Sequence, residues 1–131
     1  MSYDLVENPI QLYHAGTAFG KFQSMLSDFS ADRLHETIVD FHNTPKRVEQ
    51  LNDAISNNAA NRADSVRAEI DFAKEYAKYA SAVIDKMNDG YVPLRVTHND
   101  TKLNNVLFDK ETGEGLCVID LDTVMPGSVL F

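Results

Sequence analysis

Hydrophobic positions follow a helical period through the first two thirds of the chain. Asn8 and Pro9 form a typical N-cap and first-turn pair. The apolar residues after them are spaced by three or four positions, which predicts one helix face: Leu12, Ala15, Phe19, Phe22, Leu26 and Phe29. Thr44 and Pro45 give a second start signal, and a short helix is predicted over 45–56.

The longest helix is predicted over 63–88, with Gly90 as its terminating glycine. Two neighbouring apolar stripes run along it: Val66, Ile70, Ala73, Ala77, Ala80, Ile84 and Met87 in one, and Phe72, Tyr76, Tyr79 and Val83 in the other. So wide an apolar face is typical of a helix buried in the middle of a domain. We therefore expect its aromatic side chains to pack in the core.

After Pro93 the period changes to that of short strands. Strands are predicted at 94–96, 105–108 and 116–120, and the last is nearly all apolar and therefore expected to be buried, Cys117 included. The second and third are separated by a loop with two glycines, which predicts a β-hairpin. The chain thus has an α+β pattern, helical over 1–90 and strand-rich over 91–131.

Composition narrows the possible functions. The 131 residues suffice for one modest domain. Lys and Arg total 12 against 20 Asp and Glu, a net charge of −8, which argues against a non-specific nucleic-acid or membrane-surface binder. The single cysteine excludes an internal disulfide and a multi-cysteine zinc site. Without a signal-peptide pattern or an apolar run of about 20 residues, a cytoplasmic location is expected.

Two acidic segments carry the candidate chemistry. Asp100 is followed five residues later by Asn105, and Asp120 ends the apolar strand of the predicted hairpin. Phosphoryl transfer needs one carboxylate facing the acceptor hydroxyl and cations held against the phosphates. Carboxylate and amide oxygens are the ligands that Mg²⁺ prefers. A hairpin that brings the two segments face to face would therefore assemble a phosphotransferase site.

The same segments resemble a known family. The His-x-Asp-x4-Asn sequence of residues 98–105 resembles the catalytic loop of the protein-kinase-like fold, and the Ile-Asp-x-Asp sequence of residues 119–122 is similar to that of the aminoglycoside phosphotransferase and choline kinase group. More narrowly, residues 98–127 resemble the bacterial N-acetylhexosamine 1-kinase family, which phosphorylates the anomeric hydroxyl of GlcNAc or GalNAc with ATP and Mg²⁺. The resemblance implies that residues 1–131 form a mostly helical part of a C-terminal lobe, with a small hairpin carrying the catalytic and metal-binding loops.

The resemblance also implies a role for each matching residue. Asp100 corresponds to the catalytic base, and Lys102 to a lysine that meets the γ-phosphate of ATP. Asn105 and Asp120 correspond to the residues that bind Mg²⁺ and, through it, the nucleotide. Asp122 is a further candidate for the metal or the substrate, and His98 corresponds to a structural histidine of the loop.

The catalytic residues face the phosphate, so they leave the acceptor open among a sugar, choline, an aminoglycoside and homoserine. A non-catalytic kinase-like module that binds a partner is a further alternative. Kinases of this fold use an N-terminal lobe with a lysine, its glutamate partner and a phosphate loop. We therefore expect the 131 residues to be a fragment that is inactive alone, with apolar faces that favour association with another chain.

Overall fold

The computed structural model describes all residues, 1–131, and they fold as two compact units. The first unit combines 1–39 with 94–131, and the second contains 40–93. Helices and small antiparallel sheets together make an α+β protein, as the sequence predicts. No helix is both long enough and apolar enough to cross a membrane.

The first unit begins with helix α1, Pro9–Met25, at the start that the sequence predicts. Asn8 is its N-cap, and its side chain accepts a hydrogen bond from the backbone N–H of Gln11. In return, the Gln11 side chain accepts a hydrogen bond from the backbone N–H of Asn8. This reciprocal capping box satisfies two of the N–H groups that a helix start leaves unpaired. The helix ends before Phe29, because Leu26 already has non-helical dihedrals.

Four three- or four-residue strands complete the first unit: β1 Arg95–Thr97, β2 Val106–Phe108, β3 Gly115–Val118 and β4 Met125–Gly127. β2 and β3 form the predicted antiparallel hairpin, and β1 pairs antiparallel with β4. The sequence missed β4, since a three-residue strand containing Pro126 has no readable period. Its pairing with β1 places residues 125–127 beside residues 95–97.

The core of the first unit lies between α1 and the hairpin. Ala15 and Phe19 of the helix pack with Val106 and Phe108 of β2, and all four are buried. Each of these residues has a neighbour on the same face three or four positions away in the helix, or two positions away in the strand. This packing fixes the hairpin on α1 and so fixes the loops at its ends.

The predicted burial of the third strand is wrong. Leu116 is 65% exposed, and Cys117 is also exposed. β2 also has a single partner strand and is buried, so burial depends on packing against the α1 core and not on an apolar sequence alone. The apolar run was typical of a strand covered on both faces, which this small sheet does not provide.

The second unit contains α2 Thr44–Asn57, α3 Arg67–Tyr76 and α4 Ala82–Asn88. α2 confirms the predicted short helix, with Asn43 as its N-cap. The single helix predicted over 63–88 is wrong, because 3₁₀ segments at Ala63–Val66 and Ala77–Tyr79 interrupt it. Its end is confirmed: Gly90 has φ +73°, and the N–H of Tyr91 reaches the carbonyl of Lys86.

The burial predicted for that helical region is also wrong. Phe72, Tyr76 and Tyr79 are 62%, 50% and 61% exposed, and Ile70 is the buried apolar residue of the region. Three of the seven residues in the first stripe are alanines, which bury little area each. The periodicity of apolar residues indicates a helix, but it does not show whether another element packs against the apolar face.

Candidate active site

Two loops meet where the strands of the two small sheets end. The first, the candidate catalytic loop of residues 98–105, leaves β1 and enters β2 through a 3₁₀ turn, Leu103–Asn105. The second, the acidic turn of residues 120–123, follows β3 and leads into β4. The backbone N–H of Ile119 donates to the carbonyl of Asn105 over 2.9 Å, which joins the two loops just before Asp120.

His98 links the two loops through hydrogen bonds of its buried ring. It is buried, with its ring edge-to-face against Phe19 and Phe22 of α1 at 5.2 and 5.8 Å between centroids. Its Nε2 lies 2.9 Å from the carbonyl of Ile119, and its Nδ1 accepts from the backbone N–H of Asp100. This pair of bonds corresponds to the neutral Nε2–H tautomer. His98 therefore has the structural role expected from the sequence.

Asn99 is a structural residue that the sequence did not reveal. Its buried amide donates to the backbone carbonyls of Thr97, Thr123 and Met125, at 3.1, 3.0 and 3.3 Å, and its Oδ1 accepts from the Thr97 hydroxyl. Asn99 also adopts φ +65°, a left-handed conformation that asparagine tolerates better than most residues. No sequence pattern signals this, because its partners lie up to 26 residues away.

Gly127 is required by the same network. A Cβ on this residue would overlap the Thr97 hydroxyl and the Asn99 amide oxygen. Gly127 lies in β4, opposite Arg95 of β1. The close approach of the Thr97 and Asn99 side chains explains the glycine.

The structure brings Asp100, Lys102 and Asn105 into direct contact. Lys102 Nζ lies 2.7 Å from Asp100 Oδ2, and the Asn105 side-chain amide donates to the same oxygen at 3.0 Å. The Lys102 hydrogen bond is the main reason that the pKa of Asp100 is below its ordinary value, and partial burial opposes it. The same contact raises the pKa of Lys102. At neutral pH the pair is therefore a carboxylate and an ammonium.

Both contacts use one oxygen of Asp100. Oδ1 accepts no hydrogen bond from the chain, so one carboxylate oxygen is held by two contacts while the other has none. Asn105 shows the complementary arrangement. Its amide nitrogen donates to the backbone carbonyl and to Oδ2 of Asp100, which leaves its Oδ1 as the atom that could meet a cation.

Asp120 stands at the entrance to the acidic turn. It has a left-handed backbone, φ 63° and ψ 59°, directly after the residue that is tied to both His98 and Asn105. Its side chain is exposed, and its charge contributes to raising the pKa of Lys102. Non-glycine residues in this conformation cost about 1–3 kcal/mol and cluster at functional sites.

Asp122 lies two residues further along the acidic turn, also exposed. Its backbone carbonyl accepts a hydrogen bond from the Thr37 hydroxyl at 2.8 Å. No group of three or more His, Cys, Asp or Glu side chains in the structure is arranged to hold a metal ion. The predicted set differs from such a group, because it combines two aspartates with an asparagine amide.

The donor set is chemically suited to magnesium. Mg²⁺ is usually held by one or two carboxylates and keeps several waters or phosphate oxygens. Asn105 offers an amide oxygen with no hydrogen bond from the chain, and the exposed Asp120 offers a carboxylate. The roles of Lys102, Asn105, Asp120 and Asp122 toward nucleotide and metal stay predictions.

Comparison with known families adds one finding. A family model described as the phosphotransferase enzyme family (APH) matches residues 8–131. The match covers α1, both units and the two loops of the site, and leaves out only the first seven residues.

Proposed function

The chain belongs to the phosphotransferase enzyme family, and from that premise we propose that its site transfers the γ-phosphoryl group of ATP to a hydroxyl of a small molecule. Kinase-type chemistry of this kind is what the family implies. The finer proposal concerns the nucleotide, the metal and the acceptor. In this proposal Asp100 orients the acceptor hydroxyl and Lys102 contacts the transferred phosphate. Asn105 and Asp120 bind the cation.

The observation that carries the proposal is the Asp100 carboxylate, in which Oδ2 has two contacts and Oδ1 has none. Phosphoryl transfer needs a group that orients the attacking hydroxyl more than one that removes its proton early. Lys102 and Asn105 hold Oδ2 at 2.7 and 3.0 Å, which fixes the plane of the carboxylate. Oδ1 then accepts the hydrogen bond of the acceptor hydroxyl and its proton as the new P–O bond forms and the bond to ADP breaks.

Lys102 has a second role in this proposal. Its ammonium remains charged at neutral pH, since its contact with Asp100 raises its pKa. Placed two residues from the base, it neutralises the charge of the transferred group. The net charge of the chain is −8, so bulk electrostatics repel a nucleotide and binding depends on such local cations.

Magnesium, when bound, would supply charge neutralisation and orientation of the ATP phosphates. The residues proposed to hold it are Asn105, through Oδ1, and Asp120, with Asp122 as a further candidate. The hydrogen bond from Ile119 to Asn105 keeps the backbones of these two segments in register. The chain therefore presents both ligands from one joined pair of loops.

We propose an N-acetylhexosamine, phosphorylated at its anomeric hydroxyl, as the acceptor. The support is the resemblance of residues 98–127 to kinases of that class. Choline, aminoglycosides and homoserine are the competing acceptors within the same family, and they enter the test as separate arms. Sugar and nucleotide are then the only small-molecule partners that the proposal needs.

The test compares two aspartate variants in the full-length product of the gene. Asp100→Asn keeps the shape of the side chain and can still present an oxygen to Lys102 and Asn105, but it replaces the free Oδ1 by an amide. We expect phosphorylation of the sugar to fall by about 10²–10⁴, while calorimetry shows ATP·Mg²⁺ binding within about threefold of wild type. Asp120→Asn should instead weaken nucleotide binding in the presence of Mg²⁺, because a hard anionic ligand is lost.

Asp71→Asn is the matched control, since Asp71 is an exposed residue of α3 in the second unit. It should change neither activity nor nucleotide affinity. Loss of nucleotide affinity in Asp100→Asn with retention in Asp120→Asn would show that the two assignments are interchanged. Turnover of choline or homoserine, but not of GlcNAc or GalNAc, would overturn the proposed acceptor and keep the proposed chemistry.

A further inference from the structure

Thr37 makes a contact that the proposed function does not use. It lies in the segment after the 3₁₀ turn Ala31–Arg33, and its hydroxyl donates to the backbone carbonyl of Asp122 over 2.8 Å. The same oxygen lies 3.4 Å from the sulfur of Met125. The contact joins residues that are 85 positions apart, so it is a tertiary tie rather than a local turn.

Other ties of the acidic turn and its flank come from the candidate catalytic loop. The Thr123 hydroxyl donates to the carbonyl of His98 at 2.6 Å, and the Asn99 amide donates to the carbonyl of Thr123. His98 also binds the carbonyl of Ile119. These contacts hold Ile119, just before the turn, and Thr123, at its last position, while the Thr37 bond holds the carbonyl of Asp122 between them.

A strained segment persists only when its surroundings fix it in place. Asp120 has a left-handed backbone at the start of the acidic turn, and its carboxylate and that of Asp122 are exposed. Side chains on a turn that is free to relax would lose the separation that a shared cation requires. The bond to the carbonyl of Asp122 opposes that relaxation.

We infer that Thr37 is a positioning residue: its hydroxyl fixes the acidic turn and thereby the two carboxylates proposed to meet the cation. The metal part of this inference rests on the proposed function. The geometric part, that the hydroxyl fixes the turn, does not. Thr37 has no proposed contact with the nucleotide or the acceptor, and its hydroxyl bonds to the backbone of Asp122, so its effect passes through the turn.

The first measurement needs no ligand. Thr37→Val keeps the shape of the side chain and removes the donor, and Thr37→Ser keeps the donor. Amide hydrogen exchange followed by NMR on the 131-residue chain should show about threefold to fivefold faster exchange at Val124, whose N–H closes the turn on Leu121, in Thr37→Val. Thr37→Ser should restore the wild-type rate.

Thr17→Val is the matched control. The Thr17 hydroxyl also donates to a carbonyl at 2.8 Å, that of Tyr13, but within α1. Its loss should leave the exchange rate at Val124 unchanged. Unchanged exchange in Thr37→Val, or equal acceleration in both valine variants, would overturn the inference.

The second measurement tests the metal part with Mn²⁺ as the probe, by its paramagnetic broadening of the amides of residues 120–124. We expect the Mn²⁺ affinity to fall by about threefold or more in Thr37→Val and to recover in Thr37→Ser. Faster exchange with unchanged Mn²⁺ affinity would reduce Thr37 to a structural tie and overturn its role toward the cation. A wild-type chain that broadens none of these amides would count against the proposed metal site itself, while the exchange rates still decide whether Thr37 fixes the turn.

Discussion

Removing the side chain of Asn99 should destabilise the first unit strongly, although Asn99 has no proposed contact with a substrate. The two N–H groups of its amide serve three carbonyls, and its oxygen accepts from the Thr97 hydroxyl. Counting two donated bonds and one accepted bond at about 1 kcal/mol each gives a loss of about 3 kcal/mol for Asn99→Gly. Glycine accepts the φ of +65° without strain.

Asn99→Ala separates the backbone from the hydrogen bonds. Alanine loses the same bonds and must also adopt the left-handed conformation, so it should be about 1 kcal/mol less stable than the glycine variant. Urea unfolding followed by the methyl signals of Val106, which is fully buried in the first unit, reports the relevant free energy.

Asn61 is the control position. It has φ +51° and lies in the second unit, with an exposed side chain that makes no hydrogen bond. Asn61→Gly should therefore be nearly neutral, while the alanine-to-glycine difference of about 1 kcal/mol should recur there. An Asn99→Gly variant within about 0.5 kcal/mol of wild type would refute the hydrogen-bond argument. Equal stabilities for Asn99→Gly and Asn99→Ala would refute the backbone argument.

Two further predictions concern charge and packing. Lys102→Met should raise the pKa of Asp100 toward its ordinary value of about 4, because the main cause of the lowered pKa is lost. ¹³C NMR of the carboxyl group measures this pKa. A group whose pKa is lowered in the folded state adds stability above its unfolded pKa, and this stability is lost as the pH falls through the folded pKa. Wild type should therefore lose more stability than Lys102→Met on acidification below about pH 4. Parallel profiles of stability against pH would contradict this. Gly127→Ala should destabilise by about 1–3 kcal/mol, because its Cβ would overlap the hydroxyl of Thr97. Gly16→Ala should stabilise by about 0.5–1 kcal/mol, because Gly16 lies inside α1 with open space at its Cβ; urea unfolding that gives both alanine variants the same sign would contradict the packing argument.

The elements that depend on local signals could be predicted from the sequence. Asn8 and Pro9 start α1 where capping preferences place the start, and Gly90 ends the last helix with the expected positive φ. The hairpin of β2 and β3 follows from two apolar runs separated by a glycine-containing loop. Each of these signals acts within a few residues, so no knowledge of the remaining chain was needed.

Burial was the part of the fold that local pattern could not decide. The 63–88 region has helical periodicity, yet Phe72 and Tyr79 are more than half exposed, and Leu116 is exposed in a strand that reads as buried. Periodicity states which side chains share a face. Whether a second layer covers that face depends on contacts that the local pattern does not contain.

For the candidate site, the sequence by itself determined which functional groups are present: the carboxylates of Asp100 and Asp120, the ammonium of Lys102 and the amide of Asn105. Only the tertiary structure decided how they are held. The two contacts on Oδ2 of Asp100 and the bond from Thr37 to the carbonyl of Asp122 follow from no spacing rule. The physical reason is distance along the chain: functional groups are coded residue by residue, whereas the bonds that orient them join segments up to 85 residues apart and exist only after the chain has folded.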